Sequence, residues 1–530
     1  MRITPALMLI ATFAADIVLA TVPPPISDDL RGLNEFGINP DAPASAWAAA
    51  TATNSDLLRR LVTQFRVEVP AEPWIEQELN WYLRHPDYLD RVFNRGQPYI
   101  YYIIGELEKR SMPVELALLP IVESAFDPFA YSHGRAAGLW QIIPGTGRRF
   151  GLAQNWWYDG RRDVVAATRA ALDYLELLAR EFDGDWLLAV AAYNSGEGNV
   201  RKAILRNRSR GEPIDFFSLR AQLPRETRAY VPRFLALVKL VGNAPSLGVT
   251  LPRIEDTPTI AIADTGGQID LALAAELAGI PLETLYRLNP GFNRWATSPD
   301  GPHQLVVPLD AVQTFREALA KLPDSQRLRW LRHKIAEGET LSQIAERYST
   351  SVKSLRQANN LRGNTIRAGR HLLVPASREP IAAYTLTAEA RLRTTQSRQR
   401  DGQQVKHTVR RGESLWTIAQ RYGVGVQALA RWNAMAPRDT LSAGREIVVW
   451  VDSDVPVASG TETSTPPRGI DETRRIRYTV RNGDNLSVIA ARFRVQVSDL
   501  LRWNSSLTRD GILRPGQRLT LYVDVARQSS

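Results

Sequence analysis

The sequence predicts a mainly α domain followed by small α+β modules, each a strand–helix–helix–strand (βααβ) unit. Three observations predict it. Helical periodicity dominates residues 55–250, a βααβ pattern recurs three times after residue 333, and 530 residues need several domains at about 100–200 residues each. The balance of 44% hydrophobic and 23% charged residues excludes a largely disordered chain, a collagen-like fibre and a polytopic membrane protein.

The elements follow in chain order. Residues 1–20 read as a signal peptide: Arg2 is a minimal basic start, Ala6 to Ala15 is a short apolar run, and Val18-Leu19-Ala20 permits cleavage after Ala20. Asp16 is an awkward charge in that segment, which is also too short for a comfortable membrane span. Residues 21–54, with Pro23-Pro24-Pro25, read as a leader without a fold. The clearest helix of the 55–250 domain runs from Asp163, its N-cap, to Phe182, with Val164, Thr168, Ala171, Leu172, Leu175, Leu178, Ala179 and Phe182 on one face. Pro113–Val122 and Trp186–Tyr193 read as two further apolar helices.

Modules are predicted at 333–376, 405–451 and 476–524. Each carries a strand, a Gly-Glu/Asp turn, a capped helix with Leu, Ile and Ala at helical spacing, a second helix ending at Asn, and a closing strand. A degenerate copy at 260–310 shows only the helix–helix–strand part. The marker residues Asn289, Asn359, Asn433 and Asn504 are 70, 74 and 71 residues apart, a repeat spacing that four unrelated segments do not share by chance. Residues 377–404 are polar and Arg-rich, and residues 452–473 are rich in Ser, Thr and Pro. Both read as flexible linkers, which predicts modules arranged like beads on a string.

Composition bounds the chemistry. Lys+Arg exceed Asp+Glu by 66 − 56 = 10, and only seven of the 66 basic residues are Lys. That charge suits an anionic polymer, lipid or nucleic acid, or reflects a plain preference for Arg. No Lys/Arg block of five occurs, so no nucleic-acid partner is expected. The absence of Cys removes disulfides, thiolate nucleophiles and Cys-based metal centres. The six His form no HExxH-type pair, so neither a metal nor another cofactor is expected.

The apolar stretch from Pro113 ends in Glu123-Ser124. A carboxyl at the tip of an apolar helix is partly desolvated, which raises its pKa as a general acid near neutrality requires. On its own the pattern is a weak signal, since a Glu at a helix end is far more often solvated and inert. Its neighbours are Tyr131-Ser132, then Gly138-Leu139-Trp140-Gln141, then Ala192-Tyr193-Asn194-Ser195-Gly196-Glu197-Gly198, then Glu226-Thr227-Arg228-Ala229-Tyr230. These elements, in this order, resemble the lytic murein transglycosylases, a goose-lysozyme-like family that cleaves bacterial peptidoglycan. With its C-terminal repeats, which resemble glycan-binding LysM modules, the chain looks like the membrane-bound lytic murein transglycosylase D type.

That resemblance implies a lysozyme-like fold for the helical domain and Glu123 as the sole acid/base. It implies that Ser132 and Gln141 contact the sugar or its N-acetyl group, and that Tyr193, Asn194 and Tyr230 line the cleft, with Tyr230 orienting the carboxyl. It implies cleavage of the β-1,4 bond between N-acetylmuramic acid and N-acetylglucosamine, with 1,6-anhydro ends formed, for cell-wall remodelling and turnover. The turns at Gly338, Gly412 and Gly483 and the loops after Asn359, Asn433 and Asn504 would flank a glycan groove. Trp156-Trp157 fits either a sugar platform or a buried aromatic corner. Asp127, followed by Pro128, reads as a turn residue. Two alternatives stay open: a hydrolytic lysozyme-like muramidase, and a non-catalytic peptidoglycan-binding protein. The expected partners are peptidoglycan strands, the expected state is a monomer, and the expected location is the periplasm or cell envelope. Outer-membrane association is open, but the chain offers no Cys for the lipid anchor that the type usually carries.

Overall fold

The computed structural model describes residues 56–451 and, beyond them, residues 473–480 and 517–524 with positions 486, 489, 490, 500, 503 and 504. The expected signal peptide, the leader and all but the last residue of the 452–473 linker lie outside the described residues. The chain divides into two compact units, Met1–Asp454 and Val455–Ser530.

The first unit begins with a helical domain. Helices α1 (Leu57–Thr63), α2 (Pro73–Leu83) and α3 (Pro86–Lys109) open it. The expected helix from Pro113 divides into a 3-10 turn, Val114–Leu118, and α4, Leu119–Ser124. Pro120 sits in the first turn of α4. Proline lacks an N–H, which suits the first turn of a helix, where no intrahelical donor is needed. Helix α5 (Pro144–Arg149) follows, and α6 spans Val164–Glu181. The apolar face named from the sequence is the buried face of α6, and the Asp163 carboxylate caps it by accepting from Ala166 N–H at 2.8 Å. Helix α7 (Trp186–Ser195) buries every residue from Leu188 to Ala192 because it is apolar all round. Helices α8 (Glu197–Arg208), α9 (Phe216–Leu219) and α10 (Thr227–Gly242) close the domain over one core.

The degenerate copy is a complete βααβ unit: β1 (Ile260–Asp264), α11 (Leu271–Ala278), α12 (Leu282–Leu288) and β2 (Gln304–Pro308). Strands β1 and β2 are antiparallel, with Ile260 opposite Pro308. Helix α13 (Val312–Ala320) follows. The next module holds β3 (Arg329–Lys334), α14 (Leu341–Arg347), α15 (Val352–Ala358) and β4 (His371–Ala376).

Residues 377–404 correct the linker reading. They contain a 3-10 turn, Ile381–Ala383, and helix α16, Ala388–Ser397, capped by Thr387. Tyr384 is fully buried, and its hydroxyl lies 2.9 Å from both oxygens of Asp270. One aromatic anchor holds a polar segment that composition alone assigns to loop. Then come β5 (Gln403–Thr408), α17 (Leu415–Arg421), α18 (Val426–Trp432) and β6 (Glu446–Val451).

The modules of this unit are packed onto the helical domain rather than strung from it. Tyr158 bridges Phe292, and Asp159 N–H donates to Gly291 C=O at 2.8 Å. Buried Trp157 meets Trp295 edge-on and donates to Ser354 Oγ at 3.3 Å. The aromatic-corner reading therefore holds for Trp157, while Trp156 is partly exposed beneath the Arg294 guanidinium. The second unit pairs β7 (Thr473–Thr479) with β8 (Arg518–Asp524) over a core that includes Val480, Ile489, Leu500 and Leu521.

The recurring Asn is a staple in all four copies. The Asn433 amide donates to Leu429 C=O, one helical turn back, at 2.9 Å and to Val448 C=O at 2.7 Å, and its oxygen accepts from Val448 N–H at 2.8 Å. Asn289, Asn359 and Asn504 make the same three bonds to their own second helix and closing strand.

Candidate active site

Glu123 is the next-to-last residue of α4, and the chain leaves that helix through two consecutive left-handed residues, Ala125 (φ 51°) and Phe126 (φ 54°). Left-handed non-glycine backbone costs about 1–3 kcal/mol per residue and persists only where its surroundings enforce it. Phe126 enforces it here: its ring is fully buried against Gly96 of α3, where a Cβ would come within 2.6 Å of the ring. Ser124 Oγ, close to Pro120 C=O (3.1 Å) and Leu139 C=O (2.9 Å), ties the same turn to the next loop. Asp127 caps the following turn by accepting from Phe129 N–H at 3.0 Å.

That loop carries Ser132 and Gln141. Bridges Tyr131–Ala137 and Ala137–Ile142 fold it back on itself. Gly138 (φ 79°) must be glycine, since a Cβ there would sit 2.2 Å from Arg161 C=O. The Gly138 carbonyl then accepts from Gln141 Nε2 at 2.9 Å, and Ser132 Oγ accepts from Ala136 N–H at 3.0 Å. Tyr193 and Asn194 lie at the end of α7, and Tyr230 lies in the first turn of α10.

These elements meet at one cleft of about 560 Å³. Glu123, Ser132, Gln141, Tyr193, Asn194 and Tyr230 all line it. The Tyr230 hydroxyl donates to Glu123 Oε1. Tyr193 donates to Trp140 C=O at 2.8 Å, so its ring lines the cleft while its hydroxyl braces the Gln141 loop. Trp140 is itself fixed by a 2.9 Å bond from its indole to Thr168 Oγ1 on α6. Asn194 Oδ1 accepts from Thr227 Oγ1 at 2.7 Å, which joins the ends of α7 and α10.

Burial pushes the Glu123 carboxyl up to about 8, the Tyr230 hydroxyl draws it back, and the charge of Glu226 adds to the rise. The same burial, with Glu123 as the nearest negative group, holds both phenols well above their ordinary range. The arrangement therefore presents one protonated carboxylic acid at neutral pH, held in one orientation by a phenol. Among the described residues no cluster of three His, Cys, Asp or Glu is placed to hold a metal ion, and no helix is long and apolar enough to cross a membrane.

Sequence reasoning missed three residues that also line the cleft: His133, Tyr174 and Arg233. Glu226 lines the cleft too, and in the sequence it is only part of a motif. Tyr174 packs its ring against Tyr193 with centroids 5.5 Å apart and donates to Glu197 at 3.1 Å. Tyr174 reaches the cleft from α6, whose pattern reads as a core helix, while His133 and Arg233 adjoin Ser132 and Tyr230 but fall outside the motifs that mark those residues.

The sequence matches the transglycosylase SLT domain over residues 101–216. It matches the LysM-like domain of lytic transglycosylase MltD over 261–324, and the LysM domain over 333–375, 407–450 and 478–521. Membrane-bound lytic murein transglycosylase D of Escherichia coli (strain K12) is 39% identical over 405 residues, 74% of this chain and 86% of that protein. An Alteromonas sp. (strain M-1) protein named for tributyltin chloride resistance is 44% identical over 168 residues, 32% of this chain and 78% of that one. The X-ray structure of an inactive mutant of lytic transglycosylase Slt from Pseudomonas aeruginosa is 26% identical with a TM-score of 0.23, covering 29% of this chain and 25% of that one.

Proposed function

The chain belongs to the membrane-bound lytic murein transglycosylase D family, and from that premise we propose how its cleft works. The protein is a peptidoglycan lytic transglycosylase whose LysM modules bind peptidoglycan. Neutral Glu123 gives its proton to the oxygen between N-acetylmuramic acid and N-acetylglucosamine, and the bond to C1 breaks through an oxocarbenium-like state. The Glu123 carboxylate then takes the proton of the muramic acid 6-hydroxyl, whose oxygen attacks C1 and closes the 1,6-anhydro ring. One carboxyl loses its proton to the leaving oxygen and regains one from the 6-hydroxyl, so no second catalytic acid is needed. The attacking group is already tethered, and the step gains the advantage of an intramolecular reaction.

The observation that carries this reading is the Tyr230-held Glu123, pushed up to about 8 by burial. An acid that keeps its proton at pH 7 yet becomes a base once discharged is what both half-reactions need. Tyr230 orients the carboxyl. The Ser132 hydroxyl, which accepts from Ala136 and donates to no protein group among the described residues, donates a hydrogen bond to a sugar oxygen. Gln141 Oε1 accepts from the N-acetyl N–H, with its Nε2 committed to Gly138. Tyr193 and Asn194 shape the wall.

We infer further that the enzyme is exported to the cell envelope and acts as a monomer. Its retention on the wall comes from linked modules whose separate affinities combine. Mass spectrometry of products from purified sacculi tests the central step. Ends one water lighter than a reducing sugar are expected. Reducing ends would replace this reading with a hydrolytic one, and bound but undigested sacculi would leave only a binding protein.

A further inference from the structure

The segment that carries Ser132 has a second cavity against it. Ser132, His133 and Gly134 line the catalytic cleft, whereas Phe129 and Tyr131 line this neighbour of about 540 Å³. Its other walls come from α16, from Arg294 after α12, and from Arg445 before β6. Arg135 pairs with Asp439 and donates to Arg438 C=O at 3.1 Å, which joins the Ser132 segment to the module that supplies Arg445.

The cavity carries an unbalanced charge. Arg162, Arg294, Arg391 and Arg445 line it, against one carboxylate, Glu389. Glu389 pairs with Arg294. Arg162 pairs with Asp159 at 2.9 Å, but its Nε is buried without a hydrogen-bond partner. Arg391 lies 4.5 Å over the Phe129 ring and donates to the Leu386 carbonyl. Among the described residues neither Arg391 nor Arg445 has a carboxylate within ion-pair distance. Burial pushes Arg391 down to about 9, and the positive charge of Arg162 adds to the fall. A guanidinium stays charged in proteins, so the fall reflects a buried charge that Asp127 and Asp159 offset only in part.

We propose that this cavity binds a carboxylate of a peptidoglycan stem peptide while the glycan that bears the stem occupies the catalytic cleft. The inference rests on the lytic reading and adds to it a substrate class: strands that still carry their peptides. Three observations select that occupant. The guanidinium fork matches a planar carboxylate. The cavity shares a wall with the cleft, and a stem branches from the same muramic acid residues that the cleft cuts. Phe129 and Tyr131 also line the cavity and suit the apolar parts of a short peptide.

The test compares the full chain on stem-bearing strands and on strands stripped of stems by an amidase. The kcat/KM for stem-bearing strands should be higher by about tenfold or more, chiefly through KM. Arg391→Gln and, separately, Arg445→Gln should bring that ratio towards one. In calorimetry, the free tetrapeptide stem should bind, its carboxyl-amidated form should not, and both variants should lose the binding. A wild-type ratio near one, a ratio that neither variant changes, or binding of inorganic phosphate without binding of the stem would overturn the proposal. If neither strand is cut, the lytic reading falls, and calorimetry with the free stem still decides the cavity.

Discussion

Replacing Glu123 by Gln should destroy activity and stabilise the protein, and the stabilisation should depend on pH. The carboxyl has an ordinary value of 4.5 and is pushed up to about 8 in the folded chain. Below pH 4.5 both folded and unfolded forms are protonated, and burial of the carboxyl has no ionic cost. Between the two values the unfolded chain loses the proton and the folded chain keeps it, so stability falls as pH rises, by about 1.4 kcal/mol per pH unit. Above about 8 the folded carboxyl is charged as well, and the loss levels off at about 5 kcal/mol as a ceiling. Gln is neutral throughout, keeps an oxygen for the Tyr230 hydroxyl, and has no such slope. The variant should match the wild type at pH 4, exceed it by about 3 kcal/mol at pH 6.5, and exceed it most at pH 9. Paired denaturation curves at the three pH values measure this. On muropeptide release from sacculi, the same variant should lose at least a factor of about 10²–10⁴, because one group serves as acid and base. Parallel stability profiles, or activity within a few-fold of wild type, would refute the reasoning.

Tyr230→Phe removes the hydroxyl that draws the Glu123 value down, so the alkaline limb of kcat/KM should move to higher pH while kcat falls, which a pH–rate profile will show. Gly96→Ala sets a methyl 2.6 Å from the Phe126 ring and should cost about 1–3 kcal/mol. It should also lower activity by disturbing the turn behind Glu123, and thermal melts with turnover on one preparation check both effects. Asn433→Ala leaves the Val448 N–H and two carbonyls without their partner and should destabilise its module by about 2–3 kcal/mol, read by hydrogen exchange across β6.

What the sequence made legible was local. Asp163 and the apolar face of α6 follow from helical spacing and a capping residue within one turn, and Glu123 is conspicuous as the acid that ends an apolar stretch. What escaped was long-range. The four Asn marks were visible as a period, but their role depends on strands 14–17 residues further on. Tyr384 turns a polar segment into structure through Asp270, 114 residues away. Strand β1 is five residues long and is defined by its pairing with β2. Ser132 and Gln141 stood out only through their motif, since each is held by backbone groups of its own loop and carries no periodic signal.

The Asn staple has a reason in the composition of the chain. A module of about 45 residues buries too little apolar surface to be secure alone, and small domains commonly add disulfides or a metal. This chain has no Cys, so disulfides are closed to it. At roughly 0.05–0.15 kcal/mol per residue, such a module holds about 2–7 kcal/mol, and three satisfied bonds from one amide are a large share of that. Two of the modules add a second polar cross-link. In each, a buried His (His333, His407) lies 3.1 Å from a Tyr hydroxyl on one side and within 2.8 Å of a Glu (Glu339, Glu413) on the other, and that Glu also meets an Arg. Docking supplies the rest for the first copy, whose Gly291 admits the Tyr158 ring of the helical domain: a Cβ there would lie 2.7 Å from it. The same βααβ unit thus serves as part of the catalytic body and as a wall-binding module, held in each case by an Asn staple between its own second helix and closing strand.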